Sequence, residues 1–313
     1  MSQYVFGVDI GGTTVKLGFF DVEGNLLDKW EIPTRKEGNG SHILPDVAKS
    51  IEEKIAEKNI DKQVIAGVGI GVPGPVDNEG LVHKAANLGW GVFSIKDTLE
   101  EIIGLPVMAG NDANVAALGE MWKGGAQGYD DVVMVTLGTG VGGGVIVKGK
   151  IINGSSGAAG EIGHIHVNDD ETDVCGCGNK GCLEQYSSAT GIVRIANKKL
   201  AADANAKTVL RDGEVSAKTI FDAVKAGDDF AKGVADVYGE YLGKALASIA
   251  CVVNPEVICV GGGVSKAGEV VLDYIKPTYI KHVFHGSRDA KFVLAKLGND
   301  AGIYGAAKLV LDK

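Results

Sequence analysis

Apolar residues at the start of the chain come in short blocks broken by glycine, the mark of strands and tight turns. Residues 4–27, YVFGVDIGGTTVKLGFFDVEGNLL, read as strand, glycine turn, strand, turn, strand. The spacing then turns helical from Ile43 to Lys58. VIAGVGIGVPGPVD (64–77) is a buried strand ending in a Gly-Pro turn, and LPVMAGND (105–112) is a shorter one. ANVAALGEMWKGG (113–125) starts a helix for which Asp112 is the predicted N-cap.

Residues 132–153, VVMVTLGTGVGGGVIVKGKIIN, then replay the opening: apolar strand, Gly-Thr turn, apolar strand, charged turn, third strand. Gly138-Thr139-Gly140 answers Gly11-Gly12-Thr13. A repeat spaced by about 130 residues is no solenoid period; it predicts two related α/β domains facing each other. Residues 191–213 read as helical, and VADVYGEYLGKALASIACVVN (234–254) as a long helix stopped by Pro255. EVICVGGGVS (256–265) is a buried strand running into glycines and a helix start, and DAGIYGAAKLVLD (300–312) a final amphipathic helix.

With 313 residues the chain is long enough for two domains, and no apolar run approaches the roughly 20 residues that span a bilayer. The start carries no basic stretch of an export signal, so a cytoplasmic protein is expected. A net charge of −9 argues against a nucleic-acid partner. Five cysteines do not suggest a disulfide framework. Cys251 and Cys259, in apolar surroundings, read as small buried hydrophobes.

Three loops share one design, an apolar strand running into Gly, Thr or Ser: Asp9 to Thr14, Gly138 to Gly140, and Gly261-Gly262-Gly263. Glycine lets backbone N–H groups approach phosphate oxygens, and threonine hydroxyls add donors. Neither the P-loop nor the dinucleotide fingerprint is present. Asp9 offers a carboxylate for a hydrated Mg²⁺. The pattern resembles the actin-like ATPase (ribonuclease H-like) two-domain α/β fold, in which two phosphate hairpins close on a nucleotide.

Asn111-Asp112 stands where a strand ends and a helix begins, a site-like position in an open α/β sheet. The plain alternative is that Asp112 only caps its helix. Asn87, Glu161 and Glu184 lie among glycines and apolar residues, a composition suited to a ligand with many hydroxyls. His164, Cys175, Cys177 and Cys182 make a complete tetrahedral donor set for Zn²⁺. Four protein ligands leave no open position, so the metal is read as structural; a redox thiol cluster is the alternative. His166, on the same face as His164, could compete as ligand, but reads better as a solvent-facing residue.

Together DIGGTTVK (9–16), GIGVPGPVD (69–77), AANLGW (85–90), NDANVAALGE (111–120), TLGTGVGGGVIVKGKIINGSSGAAGEIGH (136–164), CGCGNKGCLEQYSS (175–188) and VGGGVS (260–265) resemble the ROK family of sugar kinases and repressors, closest to its bacterial ATP-dependent glucokinases. The resemblance implies Asp112 as catalytic base, with Asn87, Asn111, Asp112, Glu161, His164 and Glu184 on glucose. It implies Zn²⁺ on His164, Cys175, Cys177 and Cys182, and ATP with Mg²⁺ at Asp9, Gly11, Gly12, Thr13, Thr14, Gly138, Thr139, Gly140, Gly261, Gly262 and Gly263. His164 then has two jobs, one for each ring nitrogen. The base is expected to need only an ordinary low pKa, because the proton leaves late in phosphoryl transfer.

Family members are commonly dimers, so a homodimer is expected. Residues 1–115 with a terminal helix at about 301–313 are expected to form the smaller domain, and residues 116–300 the larger, with the site between them. The short stretch before Asp9 leaves no room for the helix-turn-helix of the family's repressors. A sugar sensor would lack the base or the loops, and a chaperone-type ATPase would not need the zinc loop. Fructose, mannose or N-acetylmannosamine as acceptor, and polyphosphate as donor, stay open.

Overall fold

The computed structural model describes residues 2–312. One sheet holds β1 (Tyr4–Ile10), β2 (Thr14–Asp21), β3 (Leu26–Pro33), β4 (Ile65–Val72) and β5 (Val107–Asn111), in the order β3-β2-β1-β4-β5. The other holds β6 (Val132–Leu137), β7 (Val141–Val147), β8 (Lys150–Ile151), β9 (Val257–Gly261) and β10 (Lys291–Leu294), in the order β8-β7-β6-β9-β10. In each, three strands form an antiparallel meander and two more add in parallel. The repeated hairpin is thus the visible part of a repeated sheet, the actin-like ATPase arrangement.

Each sheet has its own apolar core. Phe6, Val8 and Ile70 of the first pack with Ile43, Val47 and Ile51 of the helix Ile43–Glu57. Val135, Ile258 and Val260 of the second pack with Tyr238, Leu242 and Leu246 of the helix Asp229–Val253. The last helix, Ala301–Leu311, returns to the first sheet, where Ile303, Ala307 and Val310 join Val5 and Phe20. It also crosses the helix Asp112–Lys123 at backbone contact. A Cβ on Gly305 would lie 1.7 Å from the Val115 carbonyl oxygen, and one on Gly119 2.2 Å from that of Ala301. Only glycine permits that approach, which ties the start of the second half to the first sheet.

Four local expectations are corrected. The helix expected over 191–213 is Ala189–Ala202; Asp203 breaks out extended, and only the short turn Val209–Arg211 follows. The glycines after β9 lead into a 3₁₀ turn, Val264–Ala267, and Gly268 with φ of 88° delays the next helix to Val270–His282. Cys251 is exposed on the outer side of its helix, whereas Cys259 is buried in β9. The fourth is the N-cap of the helix Asp112–Lys123.

Candidate active site

The N-cap of that helix is Asn111, not Asp112. Asn111 keeps the extended geometry of β5, and its Oδ1 accepts from the N–H groups of Ala113 at 3.0 Å and Asn114 at 3.1 Å. Its Nδ2 donates to the Gly74 carbonyl at 3.1 Å, fixing the loop after β4. Asp112 therefore takes the first helical position, where among the described residues its Oδ1 accepts only from Ala113 N–H, at 2.8 Å. Burial pushes its carboxyl up to about 6, and the carboxylates of Asp9 and Glu161 push the same way. Partial desolvation outweighs the amide that would lower it. Asp9, at the end of β1, is likewise raised by burial, with Lys16 opposing.

Each glycine hairpin is closed by a backbone bond from its first glycine, the first turn being one residue longer than the second. Gly11 N–H donates to Thr14 O at 3.0 Å, and Gly138 N–H to Gly140 O at 3.0 Å. Added Cβ atoms at Gly12 or Gly138 would meet no protein atom within 4 Å, so packing does not require glycine at either position. The space in front of both is free for a ligand. Gly262 differs: its φ is 85°, and a Cβ there would lie 2.5 Å from Leu137 N. The third loop thus leans on the second hairpin, while Gly261 is buried in β9 and Gly263 stays exposed. Thr13 and Thr139 are exposed at the hairpin tips.

Asn87 stands exposed on the turn Ala86–Leu88, and its side chain makes no hydrogen bond among the described residues. Glu161, His164 and Glu184 come together. His164 Nε2 lies 3.9 Å from Glu161 Oε2, and its Nδ1 3.9 Å from Glu184 Oε1. The same Nδ1 lies 3.9 Å from Cys175 Sγ, and Cys177 Sγ lies 3.6 Å from Cys182 Sγ. One donor atom from each of His164, Cys175, Cys177 and Cys182 falls within 4.8 Å of the others. Sulfurs bound at about 2.3 Å to one tetrahedral Zn²⁺ stand about 3.8 Å apart, so the donor set fits zinc. His166 is outside it: Nε2 pairs with Asp169 at 2.8 Å and Nδ1 meets Lys180 O at 2.9 Å.

The ROK family model matches residues 5–313. The chain belongs to the ROK family. A glucokinase of Halalkalibacterium halodurans is 44% identical to it, over 98% of this chain and 95% of its own. Among solved structures, a ROK family glucokinase from Streptomyces griseus, in complex with glucose and AMPPNP, is 38% identical. It covers 99% of this chain and 100% of its own, with a TM-score of 0.76. A ROK hexokinase from Thermus thermophilus is 33% identical over 98% of this chain and 97% of its own, with a TM-score of 0.80.

Two supports of this ROK site escaped the sequence reading. Glu120, fully buried, accepts from the N–H groups of Gly125 at 2.7 Å, Lys296 at 2.9 Å and Leu297 at 2.8 Å. It fastens the far end of the Asp112 helix to the segment after β10. Arg194 binds Glu171 at 2.6 Å, Asp173 at 2.8 Å and the Gln185 carbonyl at 2.9 Å, holding the metal loop to the helix Ala189–Ala202. Glu171 is held well below the usual carboxylate range by that guanidinium. A charged residue inside an apolar helix was the available signal for Glu120; nothing in the sequence named its partners.

Proposed function

We propose that the protein is a glucokinase, transferring the γ-phosphoryl group of ATP to the 6-hydroxyl of glucose. The observation that carries this reading is Asp112, a carboxylate freed from capping and raised to about 6, at the carboxyl end of β5. At neutral pH it is ionised, yet basic enough to take the hydroxyl proton as the phosphoryl group arrives. Asn87, Asn111, Glu161, His164 and Glu184 are assigned to glucose. Asn111 has its oxygen occupied in capping and one amide hydrogen on the Gly74 carbonyl, so it offers the sugar its second amide hydrogen.

Asp9 to Thr14, Gly138 to Gly140 and Gly261 to Gly263 are assigned to the nucleotide, with Asp9 toward the Mg²⁺ that accompanies ATP. Zinc held by His164, Cys175, Cys177 and Cys182 would supply rigidity. His164 gives Nδ1 to that set and turns Nε2 toward Glu161 and the sugar. Cys175 Sγ now lies 3.0 Å from Glu184 Oε1, as a thiol donor would. A metal-bound thiolate has no proton to give, which leaves Glu184 for a sugar hydroxyl. The H. halodurans glucokinase and the glucose-bound S. griseus structure support the same reading.

The domains are assigned as residues 1–115 with a terminal helix at about 301–313, and residues 116–300, with the site in the cleft between. Separate cores and the return of the last helix support the division. The reading includes a cytoplasmic homodimer. Five unpaired cysteines fit a reducing compartment, and the family resemblance supports the dimer, which sedimentation of the purified protein tests. Among the described residues no helix is long and apolar enough to cross a membrane. Specificity is tested by a coupled assay over a hexose panel. Glucose is expected to give the highest kcat/KM; a better acceptor among fructose, mannose or N-acetylmannosamine overturns that part of the reading.

A further inference from the structure

Three asparagines from three separate segments form a chain of amides between the two halves. Asn114, two residues beyond Asp112, donates from Nδ2 to Asn153 Oδ1 at 3.4 Å. Asn153 donates in turn from Nδ2 to Asn78 Oδ1 at 2.9 Å. Asn78 lies in the same loop as Gly74, whose carbonyl accepts from Asn111 Nδ2. Asn153 opens the segment 153–160, which Ala159 N–H closes on the Asn153 carbonyl at 3.0 Å. That segment delivers Glu161.

The middle of the segment is a single exposed turn, at residues 155–156, outside any helix or strand. It reads Gly154-Ser155-Ser156-Gly157, a flexible composition, and residues 154–156 are exposed. Its position comes from contacts at a few points. At Gly157, with φ of 74°, a Cβ would lie 2.4 Å from Val76 O, so the segment sits directly on the first half's backbone. Asn114 touches both ends: Nδ2 reaches Asn153, and Oδ1 lies 3.0 Å from where a Cβ on Gly160 would stand. Asn114 is 1% exposed, and its Oδ1 has no hydrogen-bond partner among the described residues. An apolar residue of that size would avoid the cost of burying an unmet acceptor. The amide is explained by what its other end holds.

We infer that Asn153, held between Asn114 and Asn78, is a positioning residue that fixes the segment 153–160 and thereby sets the stance of Glu161 toward the sugar. The inference rests on the sugar-kinase reading above. Neither Asn153 nor Asn78 touches the reacting atoms in this account; each acts through Glu161.

The test uses Asn153→Ala, Asn78→Ala, the double variant and Asn78→Asp, which keeps the acceptor. KM is measured for whichever hexose the wild type phosphorylates best. Each alanine variant is expected to raise the sugar KM about tenfold, the scale of one hydrogen bond. The KM for ATP and kcat should stay within about threefold, and the melting temperature within a few degrees. The double variant should be no worse than either single one, and Asn78→Asp should return close to wild type. Wild-type sugar KM in Asn153→Ala, equal losses for sugar and ATP, or additive effects would each overturn the inference. A wild type best on another hexose overturns the glucose assignment alone. One that phosphorylates no hexose overturns both.

Discussion

Asn111 caps the helix that begins with Asp112, so two adjacent residues divide the work of one helix terminus. The asparagine accepts from two of the helix's free amides, and among the described residues the aspartate side chain accepts only from Ala113 N–H. The Asp112→Asn variant separates binding from chemistry. Its turnover should fall at least ~100-fold while glucose affinity measured by calorimetry largely survives. Retained turnover would remove Asp112 from the role of base.

The same substitution should stabilise the protein at neutral pH. Asp112 is raised from its ordinary 3.8 to about 6 on folding. Its contribution to stability is therefore full below about pH 4 and lost as the pH rises through about 6. Asparagine carries no such loss. Asp112→Asn should gain about 1–3 kcal/mol over wild type at pH 7.5, and the gain should vanish below about pH 4. Melting curves at the two pH values check it; a gain independent of pH would mean packing and not charge.

The activity profile carries the same group. In wild type, kcat/KM should decline below about pH 6 as Asp112 takes a proton. Glu161 is one of the carboxylates holding that value up. Glu161→Gln should therefore move the acid limb to lower pH, in addition to weakening sugar binding. An unmoved limb would show that the two carboxylates do not feel each other.

Gly138 tests the assignment of its hairpin to the nucleotide. No protein atom lies within 4 Å of an added Cβ there, so Gly138→Ala should fold and melt like wild type. A methyl group in the space assigned to phosphate should raise the KM for ATP about tenfold and leave that for glucose nearly unchanged. An unchanged ATP KM would detach this hairpin from the nucleotide.

The metal loop predicts a different split. Cys177→Ser should cost zinc, read by metal analysis, and raise the glucose KM steeply, because Glu161, His164 and Glu184 share the anchored segment. Lost zinc with unchanged sugar affinity would sever the loop from the sugar site. Loading should also weaken at lower pH: burial pushes Cys175 up to about 12, and a thiol must lose its proton to bind.

What the sequence made legible was local or repeated. The Gly11-Gly12-Thr13 and Gly138-Thr139-Gly140 turns announced a duplicated hairpin because strand, glycine and strand are contiguous. The Cys175–Cys182 donors lie within eight residues, so spacing alone suggested metal. The cap was misread because Asn and Asp cap equally well and stand side by side; only the end of β5 decides between them. Glu120 and Lys296 are 176 residues apart, and Asn78 and Asn153 are 75 apart. No periodicity links such partners, and the fold alone brings them together.

The most direct measurement is ³¹P NMR of the purified protein with ATP, Mg²⁺ and glucose. The γ-phosphate signal of ATP is expected to be replaced by that of glucose 6-phosphate, mole for mole with ADP. ATP that persists, or is split to free phosphate without sugar phosphate, would contradict the glucokinase reading.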